Sequence, residues 1–267
     1  DVNEKSIKCA VASEMLHTAT LLHDDVADNA EYRRGRKTVY SIFSGAVSVL
    51  VGDFWLSRAV RQVLETENND IFECYVRTIE DLAEGEMLQL SKAEQLDTTY
   101  DDYISIISRK TSSLFIATIK SAAISAGATP EQVEAASNYA HKLGLAFQMR
   151  DDILDYSPQM NTGKTPGLDL LERKITIPLL SAFEQSTTEE IDSVKAKLAK
   201  IGGSESNDLE IVAQVYDFVK EKNGVEIAQH KLTELGEEAA CELSQFEDNQ
   251  AKEYLLSLIR FVCDRKV

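Results

Sequence analysis

The sequence predicts an all-α fold, and three observations predict it. Gly (12) and Pro (4) are scarce over 267 residues, so few positions interrupt a long helix. The dominant hydrophobic period is helical. Helix starts carry capping signatures rather than the turn chemistry of a sandwich or barrel. The expected architecture is a single domain of roughly ten helices, several hydrophobic enough all round to be central.

The elements follow in order. In residues 5 to 22, Ile7, Ala10, Val11, Met15, Thr18, Leu21 and Leu22 fall at three- and four-residue steps. That spacing predicts a helix with a buried stripe. Residues 46 to 64 are mostly apolar and predict a second. Residues 71 to 96, 101 to 127 and 131 to 157 predict three more long helices. The last of these opens at Thr129-Pro130-Glu131-Gln132, with Thr129 as N-cap, Pro130 at the first helical position and Gln132 closing a capping box. Thr187-Thr188-Glu189-Glu190 offers another capping box. Residues 157 to 169 hold two of the four Pro and predict a loop, and residues 202 to 208 predict another. Neither is long enough to link two domains. The chain has no initiator Met and opens within a helical pattern, so a natural N-terminal piece is expected to precede it.

Composition excludes several function classes. Lys and Arg number 28 against 45 Asp and Glu, a net charge of −17. So acidic a chain is unsuited to nucleic acid, whose binding rests on phosphate neutralisation. It is equally unsuited to holding anionic membrane by charge. Cys9, Cys74, Cys241 and Cys263 contain no Cys-x-x-Cys pair, against a disulfide scaffold or zinc knuckle and in keeping with a reducing cytoplasm. The longest uncharged stretch, Thr38 to Gly52, has 15 residues and is too short for a membrane span.

Two acidic clusters carry the chemistry. Asp24-Asp25-Val26-Ala27-Asp28 follows an apolar run, and so does Asp151-Asp152-Ile153-Leu154-Asp155. Both read DDxxD. On a helix the first and fifth positions lie one turn apart on one face, where two carboxylates repel unless a cation joins them. Hard oxygen donors at that spacing suit Mg²⁺, which takes substrate phosphates as further ligands. A single such cluster is ordinarily a solvated helix face. Two copies, each behind an apolar run, point to metal. Tyr32-Arg33-Arg34-Gly35, Lys110-Thr111, Lys164 and Lys174 lie close in sequence to these clusters or between them. Each alone reads as an exposed cation. Together they form a set able to grip diphosphate oxygens, Arg as a fork and Lys as a point charge.

With these motifs on view, the sequence resembles the trans-isoprenyl diphosphate synthases, the head-to-tail polyprenyl synthase family. The stretches EMLHTATLLHDDVAD, YRRG, VGDFWLSRA, GEMLQL, KTSSLF, FQMRDDILD, GKTPGLDL and KITIP carry the likeness over nearly the whole chain. The resemblance implies an isoprenoid synthase helical bundle around a deep central cavity, usually a homodimer. It implies that Asp24, Asp28 and Asp151, with Asp155, bind three Mg²⁺ bridged to an allylic diphosphate, and that Asp25 and Asp152 support them. Arg33, Lys110, Gln148, Lys164 and Lys174 would hold that substrate with Thr111 beside them. Arg34 and His17 match positions that bind isopentenyl diphosphate; without the resemblance His17 reads as a core histidine. His23 would orient Asp24. The family's Gly-Lys-x-Arg segment would fall before Asp1 and is absent from this sequence.

The resemblance also implies where product length is set. In this family the cavity floor lies on the helix leading into the first cluster. Ala19 and Thr20, five and four positions before Asp24, are small, and Leu16 and Ala12 lie deeper. Small residues there imply a long product, hexa- to decaprenyl, with octaprenyl favoured over a farnesyl or geranylgeranyl product. The allylic primer would be farnesyl or geranylgeranyl diphosphate. Quinone side chains are the expected destination, with peripheral membrane contact for product release. Two intact DDxxD motifs stand against a terpene cyclase and against a non-catalytic partner subunit.

Overall fold

The computed structural model describes residues 2–156, 167–203 and 207–265. Among these residues the order is α1 (Glu4–Ala27), β1 (Tyr32–Arg33), β2 (Arg36–Lys37), α2 (Val39–Ile42), α3 (Gly45–Leu64), α4 (Asn69–Gln95) and α5 (Tyr100–Ile107). A π-helical turn, Ser108–Ser112, leads into α6 (Ser113–Ser125) and α7 (Pro130–Asp155). Then come α8 (Leu168–Leu171), α9 (Ile177–Phe183), α10 (Thr188–Leu198), α11 (Asp208–Glu221), α12 (Gly224–Glu242), a 3₁₀ turn (Leu243–Gln245) and α13 (Gln250–Asp264). No described helix is long and apolar enough to cross a membrane.

The helices divide into two compact units, Asp1–Glu80 with Leu114–Ser137, and Asp81–Ser113 with Asn138–Val267. In the first, α1 packs along α3. Its buried face is Cys9, Ala12, Ser13, Leu16, Ala19, Leu22 and Asp25. The stripe expected from the sequence is therefore corrected: Ile7, Ala10 and Val11 are exposed, and Met15, Thr18 and Leu21 only half-buried. Apolar residues ring α1 on every side, so their pattern does not choose a face. Packing partners choose it: Ser13 and Cys9 meet Tyr75 of α4, and Leu22 O accepts from Ser48 Oγ of α3 at 2.8 Å. The unit's core also holds a satisfied hydroxyl network. Ser13 Oγ lies 2.7 Å from Tyr75 OH, which donates to Cys9 O at 2.7 Å, and Thr118 Oγ1 donates to Ser13 Oγ at 2.9 Å. Buried hydroxyls persist only when partnered in this way.

In the second unit α9 is the hub. Ile177 to Ala182 are all buried, against α12, α11 and α5. The predicted caps appear as read. Gln132 N donates to Thr129 Oγ1 ahead of α7, and Thr187 and Glu190 exchange bonds ahead of α10.

Three other expectations are corrected, and one small element was not expected. The chain does not open mid-helix: Asn3 caps α1 with a capping box. A two-stranded hairpin interrupts the helices, turning through Arg34 (φ 51°) and Gly35 (φ 74°). The span 101 to 127 is not one helix but two, joined by the π-helical turn. The loop expected over 157 to 169 ends earlier, because Leu168 and Asp169 belong to α8.

Candidate functional site

The first DDxxD motif occupies the last turns of α1, in the first unit. The turn sorts its three carboxylates. Asp24 is half-buried and Asp28, the C-cap, is exposed, with Asp28 N donating to Asp24 O at 2.8 Å. Asp25 points inward and is 4% exposed. Arg33 Nε donates to its Oδ1 at 2.7 Å, which ties the hairpin to α1. Arg33 thus serves a carboxylate, and its side chain is partly exposed. Arg34 is exposed on the turn. His17 stands two turns before Asp24 on an exposed position of α1. Partial desolvation lowers its pKa; the charge of Glu14 opposes this, and those of Arg34 and Arg33 add to it. His23 is turned to α3: Nε2 lies 3.2 Å from Asp53 Oδ1 and 3.3 Å from Val49 O. It lies flat over Gly52, where a Cβ would fall 2.3 Å from Nε2. Leu16 and Ala19 are each 1% exposed within the buried face of α1, and Thr20 is half-buried beside them.

The second motif occupies the last turn of α7, in the second unit, and its carboxylates are sorted the same way. Asp151 is half-exposed and pairs with Arg265 Nη2 at 2.5 Å. The Arg265 guanidinium also covers the Phe147 ring, 4.3 Å from its centroid. Asp155 is half-buried. Asp152 is 4% exposed and accepts from Tyr103 OH at 2.6 Å and Gln148 Nε2 at 2.8 Å. Burial, then the charge of Asp169, pushes its carboxyl up to about 8, against the pull of the Tyr103 and Gln148 hydrogen bonds.

A cleft in this unit brings five predicted residues together: Lys110, Thr111, Gln148, Asp152 and Lys174. Thr111 Oγ1 donates to Gln148 Oε1 at 2.8 Å. Lys110 pairs with Glu86 and Lys174 with Glu172. Lys164, the remaining predicted cation, lies outside the described residues. Fixed ammonium groups, an amide and a hydroxyl on one wall suit an anion with several oxygens. Asp25 and Asp152 are held by protein donors, and so is Asp151 by Arg265, while Asp24, Asp151 and Asp155 are half-buried and Asp28 is exposed. Among the described residues no three His, Cys, Asp or Glu side chains gather into a metal cluster. Carboxylate pairs one turn apart fit Mg²⁺ only where substrate oxygens and waters complete the octahedron.

Among the cleft residues that sequence reasoning missed are Tyr103, Lys92, Gln89 and Thr176. It also missed Arg265. Tyr103 and Lys110 lie seven apart in sequence, two helical turns, and that spacing could have placed Tyr103 beside Lys110.

Comparison with known proteins gives three findings. Residues 1–219 match the family described as Polyprenyl synthetase. A Rhodobacter capsulatus protein, an all-trans-nonaprenyl-diphosphate synthase (geranyl-diphosphate specific), is 38% identical over 97% of this chain and 78% of its own length. An octaprenyl diphosphate synthase of Haemophilus influenzae is 36% identical over the same shares. Among solved structures, a polyprenyl synthase from Caulobacter crescentus, complexed with calcium and isoprenyl diphosphate, superposes with a TM-score of 0.88. It is 36% identical and aligns over 97% of this chain and 78% of that one.

Proposed function

The chain belongs to the polyprenyl synthetase family and is a prenyltransferase, and from that premise we propose that it joins isopentenyl diphosphate to farnesyl or geranylgeranyl diphosphate and builds a long all-trans polyprenyl diphosphate. One observation carries this reading: Lys110, Thr111, Gln148, Asp152 and Lys174 line a single cleft. The family match includes residues from both compact units, which supports the whole chain acting as one synthase domain.

Lys110 and Lys174, with Lys164, hold the oxygens of the allylic diphosphate, and Arg33 contributes the free part of its fork. Gln148 and Thr111 fix the orientation of that group. Asp24 and Asp28 at the end of α1, and Asp151 and Asp155 on α7, would hold Mg²⁺. Mg²⁺ held there would supply positive charge to the departing diphosphate. These cationic side chains stabilise the charge that develops as the allylic C–O bond ionises. The double bond of isopentenyl diphosphate, held by His17 and Arg34, attacks the allylic carbocation. The proton then lost goes to the released pyrophosphate, so no side chain of unusual pKa is needed. Apolar walls exclude the water that would quench the cation.

The relatives' names support a long product, and octaprenyl is the length proposed. Ala19, Thr20 and Leu16 form the floor. The chain acts as a cytoplasmic homodimer that meets membrane only to release product, and quinone side chains are the destination. The test is incubation with farnesyl diphosphate, labelled isopentenyl diphosphate and Mg²⁺, with products resolved by length. Long polyprenols that vanish with EDTA are expected; labelled products that stop at four units would overturn the length. Ala19→Phe should shorten the product without abolishing turnover, and an unchanged distribution would remove the floor from α1.

A further inference from the structure

Tyr103 has no part in the reaction just described, yet its hydroxyl is buried against the last turn of α7. The residue is 3% exposed and donates to Asp152 Oδ2 at 2.6 Å. The other oxygen, Asp152 Oδ1, accepts from Gln148 Nε2 at 2.8 Å, and Gln148 Oε1 accepts from Thr111 Oγ1 at 2.8 Å. The amide therefore has a fixed polarity, with its oxygen toward Thr111 and its nitrogen toward Asp152. One continuous chain of bonds runs from Tyr103 on α5, through α7, to Thr111 on the π-helical turn.

That turn is built to receive it. Gly85 of α4 lies under it: a Cβ there would sit 2.8 Å from Lys110 N. Gly144 of α7 lies on another side, where a Cβ would sit 2.6 Å from Ser112 Cα. Ser112 Oγ also donates to His141 O at 2.9 Å. Two helices thus approach the turn at distances only glycine permits, and the side chains of Lys110 and Thr111 leave it into the cleft. Such turns are frequent at functional sites.

We propose that Tyr103 is a positioning residue. Through Asp152 and Gln148 it holds Thr111, and with it the π-helical turn bearing Lys110, at the diphosphate-binding wall. Asp152 is in this account the central link of the relay. The inference rests on the proposed synthase reaction.

Three proteins test it, Tyr103→Phe, Thr111→Val and the double variant, assayed beside the wild type. Wild-type elongation establishes the synthase reading first; if it is absent, that reading fails and not this one. Given elongation, Y103F should lower kcat/KM for the allylic diphosphate about tenfold, with KM for isopentenyl diphosphate unchanged. T111V should do the same, and the double variant should be no worse than either, because both cut one relay. Calorimetry with inorganic pyrophosphate and Mg²⁺ gives a second readout, in which Y103F should bind about tenfold more weakly. Wild-type kcat/KM in Y103F, or losses that multiply in the double variant, would overturn the proposal. If Y103F does not fold, T111V is read in its place: unaltered kcat/KM and pyrophosphate affinity would overturn the relay.

Discussion

At the scale of the residue, the DDxxD motifs divide their labour by burial. Asp25 and Asp152 turn inward and are met by Arg33, and by Tyr103 with Gln148. Asp24, Asp28, Asp151 and Asp155 keep more contact with solvent. A buried carboxylate that loses its partner is costly, because the desolvated charge remains. Arg33→Ala should therefore destabilise the first unit by about 2 kcal/mol, less than a fully buried pair because Arg33 is itself partly exposed. Urea unfolding measures this. A loss below about 0.5 kcal/mol would mean that Asp25 finds another donor or takes up a proton.

At the scale of the element, two features are open to direct measurement. Helix α5 starts with a capping box in which Asp102 accepts from Thr99 N at 3.0 Å and from Thr99 Oγ1 at 2.7 Å. The Thr99 backbone donor first, then its hydroxyl and Lys92, hold the Asp102 carboxyl down to about 2, below its ordinary 3.8. The folded value is depressed, so the unfolded chain binds more protons in this range. The stabilisation is complete above pH 3.8 and is lost as pH falls toward 2. Asp102→Asn should be less stable at about pH 5 and show a shallower acid decline, read from urea midpoints through that window. The π-helical turn is the other feature. Gly144→Ala pushes a methyl group into the Ser112 backbone, and backbone yields less readily than a side chain end. A loss of about 2 kcal/mol is expected, measured by denaturant unfolding, with weaker binding of the allylic substrate. An alanine variant of wild-type stability would show that the turn has room to move.

At the scale of the whole molecule, charge governs behaviour. A net charge of −17 on 267 residues makes the compact state repel itself. Raising ionic strength from about 0.01 M to about 0.15 M shortens the screening length from about 30 Å to about 8 Å. The thermal midpoint should rise over that range. A falling midpoint would show that local ion pairs, such as Lys142 with Glu242, outweigh the global repulsion.

The sequence by itself determined the helical class, the capped starts of α7 and α10, both aspartate motifs and most of the cations around them. These rest on local rules: the 3.6-residue period, side chains that satisfy the first free N–H groups, and carboxylates one turn apart. The resemblance named the reaction because its motifs span the chain. Only the tertiary structure decided which face of α1 is buried, since its apolar residues ring the helix and its neighbours α3, α4 and α6 choose among them. It alone decided that Asp25 and Asp152 serve the scaffold, because their donors, Arg33 and Tyr103, come from 8 and 49 residues away. It alone revealed the π-helical turn and the glycines beneath it. A change of helical register leaves no trace in composition or period, and it forms here where α4 and α7 come close enough to accept it.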